Sequence, residues 1–182
     1  MNCNCIEALT REHKNILRIA DVLESMSKRA EASSEYDKQD AERILRIVCA
    51  YGDDFHQAKE ESVLFPIFAV ASDASRQAAV RHMVFEHGQD RTLMTGMADA
   101  IARANAAQFA EYAQRLANTL RNHIYKEDHI LFEIIANVLN SEDDARITAE
   151  FEEFGRDFEV HSIAQLLDQL RVLEWKYLRK IT

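Results

Sequence analysis

Over residues 109–138, Phe109, Ala113, Leu116, Leu120, His123, Glu127, Ile130, Ile134 and Val138 recur at steps of three or four. That period lines one face of an α-helix and does not suit a strand. Leu45, Cys49, Gly52, His56, Glu60, Val63 and Ile67 repeat the step, as do Ile6, Leu9, His13, Ile16, Ala20 and Leu23. A looser version runs through Val80, Val84, His87, Met94, Met97 and Ile101. Only four glycines and one proline interrupt the 182 residues, so helices are long and turns few. Polar breaks separate helical segments over 5–30, 38–70, 74–103, 107–139 and 142–179. The expectation is an all-α, single-domain chain (1–182). Segments 5–139 form an up-down-up-down four-helix bundle, with an additional C-terminal helix at 142–179. Pro66 should kink or end the second segment, and Ser141 should cap the fifth. The fifth should pack outside the four through Phe151, Phe154, Phe158, Leu166, Leu170 and Leu173.

His13, His56, Glu60, His87, His123 and Glu127 interrupt these apolar faces. A buried carboxylate without a partner costs several kcal/mol, a large part of a domain's net stability of about 5–15 kcal/mol. Two such groups call for compensating positive charge. Imidazole and carboxylate bind divalent metals together, so a dinuclear metal centre would supply it. Residues i and i+4 lie one above the other on a helix, so His56/Glu60 and His123/Glu127 can each aim one nitrogen and one carboxylate inward. His13 and His87 complete four nitrogens and two carboxylates, and each carboxylate has two oxygens with which to bridge.

The H-x-x-x-E spacing alone is weak, because His82/Glu86 and His129/Glu133 share it. Both of those lie on polar stripes and read as solvated pairs. The pairs at 56/60 and 123/127 belong instead to a duplicated phrase. HQAKEESVLF (56–65) and HIYKEDHILF (123–132) both read H-x-x-K-E-[E/D]-x-[V/I]-L-F. The two phrases, with Glu12-His13 and Glu86-His87, resemble the motifs of the hemerythrin-like (HHE cation-binding) family over about residues 7–175.

The resemblance implies a four-helix bundle around a non-haem di-iron centre: two iron ions with an oxo or hydroxo bridge. His13, His56, His87 and His123 would be its histidine ligands, and Glu60 and Glu127 its bridging carboxylates. Zinc or manganese suits the same donor types. Ferritin-like bundles, which use Glu-x-x-His, do not fit. The family's oxygen carriers have H-x-x-x-H on the third helix and a final aspartate five residues after its histidine. Here Arg91 stands four after His87, and Glu127 four after His123. The chain therefore points away from oxygen storage. It is closer to relatives linked to iron–sulfur cluster repair and nitric oxide stress. The expected function is to bind or sense a small ligand (O2, NO or peroxide) in a redox or stress response. The alternative is a di-iron NO or peroxide reductase, or an iron donor in cluster repair. Tyr51, Tyr125 and Arg91 read as packing or surface groups.

A net charge of −9 argues against nucleic acid and anionic membranes as partners. No apolar run spans a membrane, and no secretory signal is visible, so a cytoplasmic location is expected. Three cysteines suit a reducing compartment. Cys49 reads as core, and Cys3-x-Cys5 as an incidental pair at an end expected to fray.

Overall fold

The computed structural model describes residues 3–70, 73–158 and 160–179. Among them the chain is all-helical, with no strand. Helix α1 spans Asn4–Ser33 and stops where Ser34 turns left-handed, at φ 58°. Helix α2 (Lys38–Ile47) starts under Asp37, whose side chain accepts the Asp40 amide. It runs on through π-helical turns at Val48–Gln57 and Glu60–Leu64 into α3 (Phe65–Val70). Helix α4 (Ala74–Ala102) is capped by Asp73, and α5 (Ala106–Lys126) by Asn105. A third π stretch, Glu127–Leu131, leads from α5 into α6 (Phe132–Val138).

The expected fifth helix is two. α7 covers Ser141–Asp157, and α8 covers Val160–Tyr177. Its cap is Asn140, which accepts from the amides of Glu142 and Asp143; Ser141 is the first helical residue instead. Pro66 does not end its helix either. It sits second in α3, just after a turn in which the Phe65 amide reaches five residues back to the Glu60 carbonyl. The wide turn has already opened the hydrogen-bond ladder where proline has no N–H to give.

Helix contacts pair descending with ascending numbers. Asp21 meets Arg121 and Ser27 meets Ala110, so α1 and α5 run antiparallel. Asp90 meets Thr119 across α4 and α5, and Asp53 meets Arg91 across the second segment and α4. Asn15 meets Tyr51, and Glu12 meets His56, which closes the ring.

Among the described residues the interior has two apolar clusters. One holds Ile16, Leu23, Ile44, Phe55, Leu93, Met97, Leu116 and Leu120 among others. The second holds Cys5, Leu9, Leu64, Phe65, Phe68, Met83, Leu131 and Ile135 among others. Along each of the four bundle segments the sequence passes from one cluster to the other across a short polar interval. His13 lies between Leu9 and Ile16, His56 and Glu60 between Phe55 and Val63, and His87 between Met83 and Leu93. His123 and Glu127 fall between Leu120 and Leu131. Helices α7 and α8 extend the two clusters from outside, α7 with Ile147 and Phe151, α8 with Leu166, Leu170, Leu173 and Tyr177.

Candidate metal centre

All six residues expected at the centre are buried. They form two overlapping groups: His13, His56, Glu60 and Glu127, and Glu60, His87, His123 and Glu127. Within each group one donor atom per residue lies within 4.8 Å of the others. Two histidines belong to each group and both glutamates to both, so the geometry has two lobes with a carboxylate pair between them.

The imidazoles point inward through Nε2. His13 Nε2 lies 3.2 Å from a Glu127 oxygen and His123 Nε2 3.2 Å from the same oxygen. His56 Nε2 is 3.6 Å from Glu60 Oε1, and His87 Nε2 3.5 Å from Glu60 Oε2. These separations are close but do not make hydrogen bonds: His13 Nε2, His56 Nε2 and all four glutamate oxygens are buried without a hydrogen-bond partner.

Each opposite nitrogen, Nδ1, is held by a carboxylate. His13 Nδ1 is 2.8 Å from Asp128 and His56 Nδ1 2.9 Å from Glu12. His87 Nδ1 is 2.7 Å from Glu61 and His123 Nδ1 3.0 Å from Glu86. A carboxylate can only accept, so Nδ1 carries the hydrogen and donates. In the neutral imidazole Nε2 is then the lone pair aimed at the centre, the tautomer a metal-binding histidine needs. His87 Nε2 and His123 Nε2 stand 3.0 Å apart. Two lone pairs that close repel unless a cation or proton lies between them.

The repeated phrase now has a physical meaning at most of its positions. Its first residue is a histidine of the centre (His56, His123) and its fifth a shared glutamate (Glu60, Glu127). Its lysine, Lys59 or Lys126, pairs with the glutamate that holds the same segment's histidine, Glu12 or Glu86. Its sixth residue, Glu61 or Asp128, holds a histidine of another helix, His87 or His13. Its final phenylalanine covers that same histidine: Phe65 stacks near His87 at 6.1 Å and Phe132 on His13 at 5.4 Å. Both shared glutamates open a π turn, which widens the helix where its carboxylate turns inward.

The electrostatics of the ligand set alone are unbalanced. Burial and the facing Glu127 charge push the Glu60 carboxyl well above its ordinary range. Burial works against Glu127 too, but His123 and His13 beside it hold it well below. Burial opposes the His13 imidazolium, yet Asp128 and Glu127 raise it to about 9. At His56 burial prevails over Glu12 and lowers it to about 4. Glu60 and Glu127, and likewise His13 and His56, are thus pushed in opposite directions although the site is built with near two-fold regularity. Cations between the nitrogens and carboxylates would satisfy all of them at once.

The six stand out in the sequence on apolar stripes, but the groups that hold them do not. Glu12 and Glu86 show there only as neighbours of histidines, and His82/Glu86 as a solvated pair. Glu86 does touch exposed His82, at 3.1 Å, but its second oxygen holds His123. His129 bonds the Tyr125 carbonyl rather than Glu133. Arg91, read as a surface group, ties down Glu61 at 2.7 Å. The regularity of K-E-[E/D] and the closing phenylalanine carried this information; single-helix periodicity did not.

Among known families, the one described as hemerythrin HHE cation binding domain matches residues 4–135. No curated protein and no solved structure gives a significant match.

Proposed function

Because the chain belongs to the hemerythrin HHE cation-binding domain family, we propose that the six buried residues hold two iron ions and that the protein binds a small ligand there. His13 and His56 would serve one ion and His87 and His123 the other, with Glu60 and Glu127 shared. The ring of antiparallel contacts supports the up-down-up-down bundle as the frame for this centre. The observation that carries the proposal is the orphaned carboxylate pair: four buried oxygens without a hydrogen bond, facing imidazole lone pairs. Bound iron would supply open coordination positions and one-electron redox changes, which suit O2, NO or peroxide.

The chain's own groups set the conditions for such a ligand. Four carboxylates fix the imidazole tautomer and raise its basicity. Buried Phe65 and Phe132, stacked beside His87 and His13, screen the centre from water. A cavity of about 150 Å³ reaches His123 between α4 and α5, lined by Gln89, Asp90, Thr119 and Asn122 as well as His123. That volume is ample for a diatomic molecule or peroxide, and Glu86 and Lys126 complete its lining on the outer side of His123. Four histidines and two glutamates leave more open positions than five histidines would, which favours reversible sensing or handling over storage.

Metal analysis with optical spectroscopy tests the reading. Iron-replete protein should carry two irons per chain, and anaerobic titration with NO or O2 should change its spectrum with saturation at a fixed stoichiometry. Glu127→Ala should lose bound iron and thermal stability together. Unchanged iron content in that variant, or wild-type protein with no iron after iron-replete expression, overturns the assignment. Continuous consumption of NO or peroxide would instead select turnover.

A further inference from the structure

Cys3 and Cys5 take no part in the centre described above, and the structure does not leave them at a frayed end. Both are buried. Their sulfurs lie 3.4 Å apart. The Cys3 thiol donates to Asp144 Oδ1 at 3.3 Å, across 141 positions of sequence. The same carboxylate accepts the Cys5 amide at 2.9 Å and the Asn4 amide at 3.0 Å, and so caps α1 from the first turns of α7. The two sulfurs and a carboxylate oxygen lie within 4.8 Å of one another.

We propose that Cys3, Cys5 and Asp144 form a second metal site, separate from the histidine–glutamate centre, which takes one thiophilic divalent cation of the zinc type. Tetrahedral zinc with Zn–S bonds of about 2.3 Å sets its sulfurs roughly 3.8 Å apart, so the pair needs a shift of only a few tenths of an ångström. The proton shared by the Cys3 thiol and Asp144 Oδ1 marks where the cation would lie. Binding releases the two thiol protons to solvent, and the oxygen lone pair that accepted the S–H becomes a ligand. Two thiolates and one carboxylate beside a divalent ion leave a single net negative charge. That charge sits at the N-terminus of α1, the end of a helix that favours negative charge. The ion would latch the first turn of α1 to α7, and so tie the C-terminal extension to the bundle. The inference does not depend on the identity of the metal in the core.

The test uses full-length, iron-loaded protein kept reduced and anaerobic. Added zinc should bind at one extra ion per chain with no loss of iron, and should raise the melting temperature. Cobalt in its place should produce a thiolate-to-cobalt charge-transfer band, which histidine and glutamate ligands cannot give. Cys49→Ser should keep that band. Cys3→Ser/Cys5→Ser should lose both the band and the extra zinc while retaining its iron. Absence of the band in reduced wild-type protein overturns the proposal, whatever the variants do. So does an extra zinc that persists in the double variant, or a Cys3–Cys5 disulfide as the form present before reduction.

Discussion

At the scale of single residues, Glu86 separates a group that binds from a group that positions. It touches His123 Nδ1 and the Lys126 ammonium, and the bond from His123 with that lysine holds its carboxyl down at about 2. A depressed carboxylate stabilises the fold fully above its ordinary value of about 4.5 and loses that contribution as pH falls towards 2. Glu86→Gln keeps the shape and an accepting oxygen but removes the charge. Metal affinity should fall about 10–100-fold, and urea midpoints of the metal-free variant should decline less than wild type between pH 4.5 and 2. Equal acid slopes in the two proteins would show that the Glu86 charge is not what holds His123. The six central residues were legible because imidazole and carboxylate stand out on an apolar stripe. Glu12, Glu61, Glu86 and Asp128 were not, because a half-exposed acid on a helix looks like any solvated acid until the facing helix is placed. The anchoring of Cys3 and Cys5 was hidden for the same reason: their partner, Asp144, lies on another helix.

At the scale of elements, the π turns explain where periodicity failed. A step of three or four from Glu127 predicts Ile130 and Ile134 inside. Ile130 is 54% exposed, whereas Leu131 and Ile135 are buried. The turn at Glu127–Leu131 adds one residue to the helix, so the apolar face resumes one position late. After Glu60 the same shift moves full burial from Ile67 to Phe68. Nothing in the sequence marks a π turn except what it does, which is to aim a carboxylate inward. The α4–α5 pair is tighter than any period shows. A Cβ on Gly96 would overlap the Tyr112 ring on α5. Gly96→Ala should therefore cost about 1–3 kcal/mol by overpacking, despite alanine's better helix propensity. Adding Tyr112→Ala should return part of that loss in denaturant unfolding, and strict additivity of the two would place the strain elsewhere.

At the scale of the whole molecule, the family match ends at residue 135, while the apolar clusters do not. Ile147 and Phe151 on α7 belong to one cluster, and Leu166, Leu170, Leu173 and Tyr177 on α8 to the other. Asp144 caps α1, the Arg18 guanidinium forks onto Glu174 at 2.7 Å, and Tyr177 donates to buried Asp40 at 3.0 Å. Each large apolar side chain buried is worth about 1.5–3 kcal/mol, so the six together represent roughly 10 kcal/mol or more. A domain's entire net stability is about 5–15 kcal/mol. The 1–139 chain, which holds all six central residues, should therefore lack a cooperative unfolding transition when metal-free. Metal binds the folded state, and ligand at a thousand times its dissociation constant returns only about 4 kcal/mol. Loaded 1–139 should thus fold partially and melt well below the full-length protein. The measurement is thermal unfolding of both chains, each with and without iron. If metal-free 1–139 melts cooperatively within a few degrees of the full-length chain, α7 and α8 are an appendage and the bundle carries its own stability. If it unfolds, the two outer helices supply what a core with a buried layer of charge cannot supply alone.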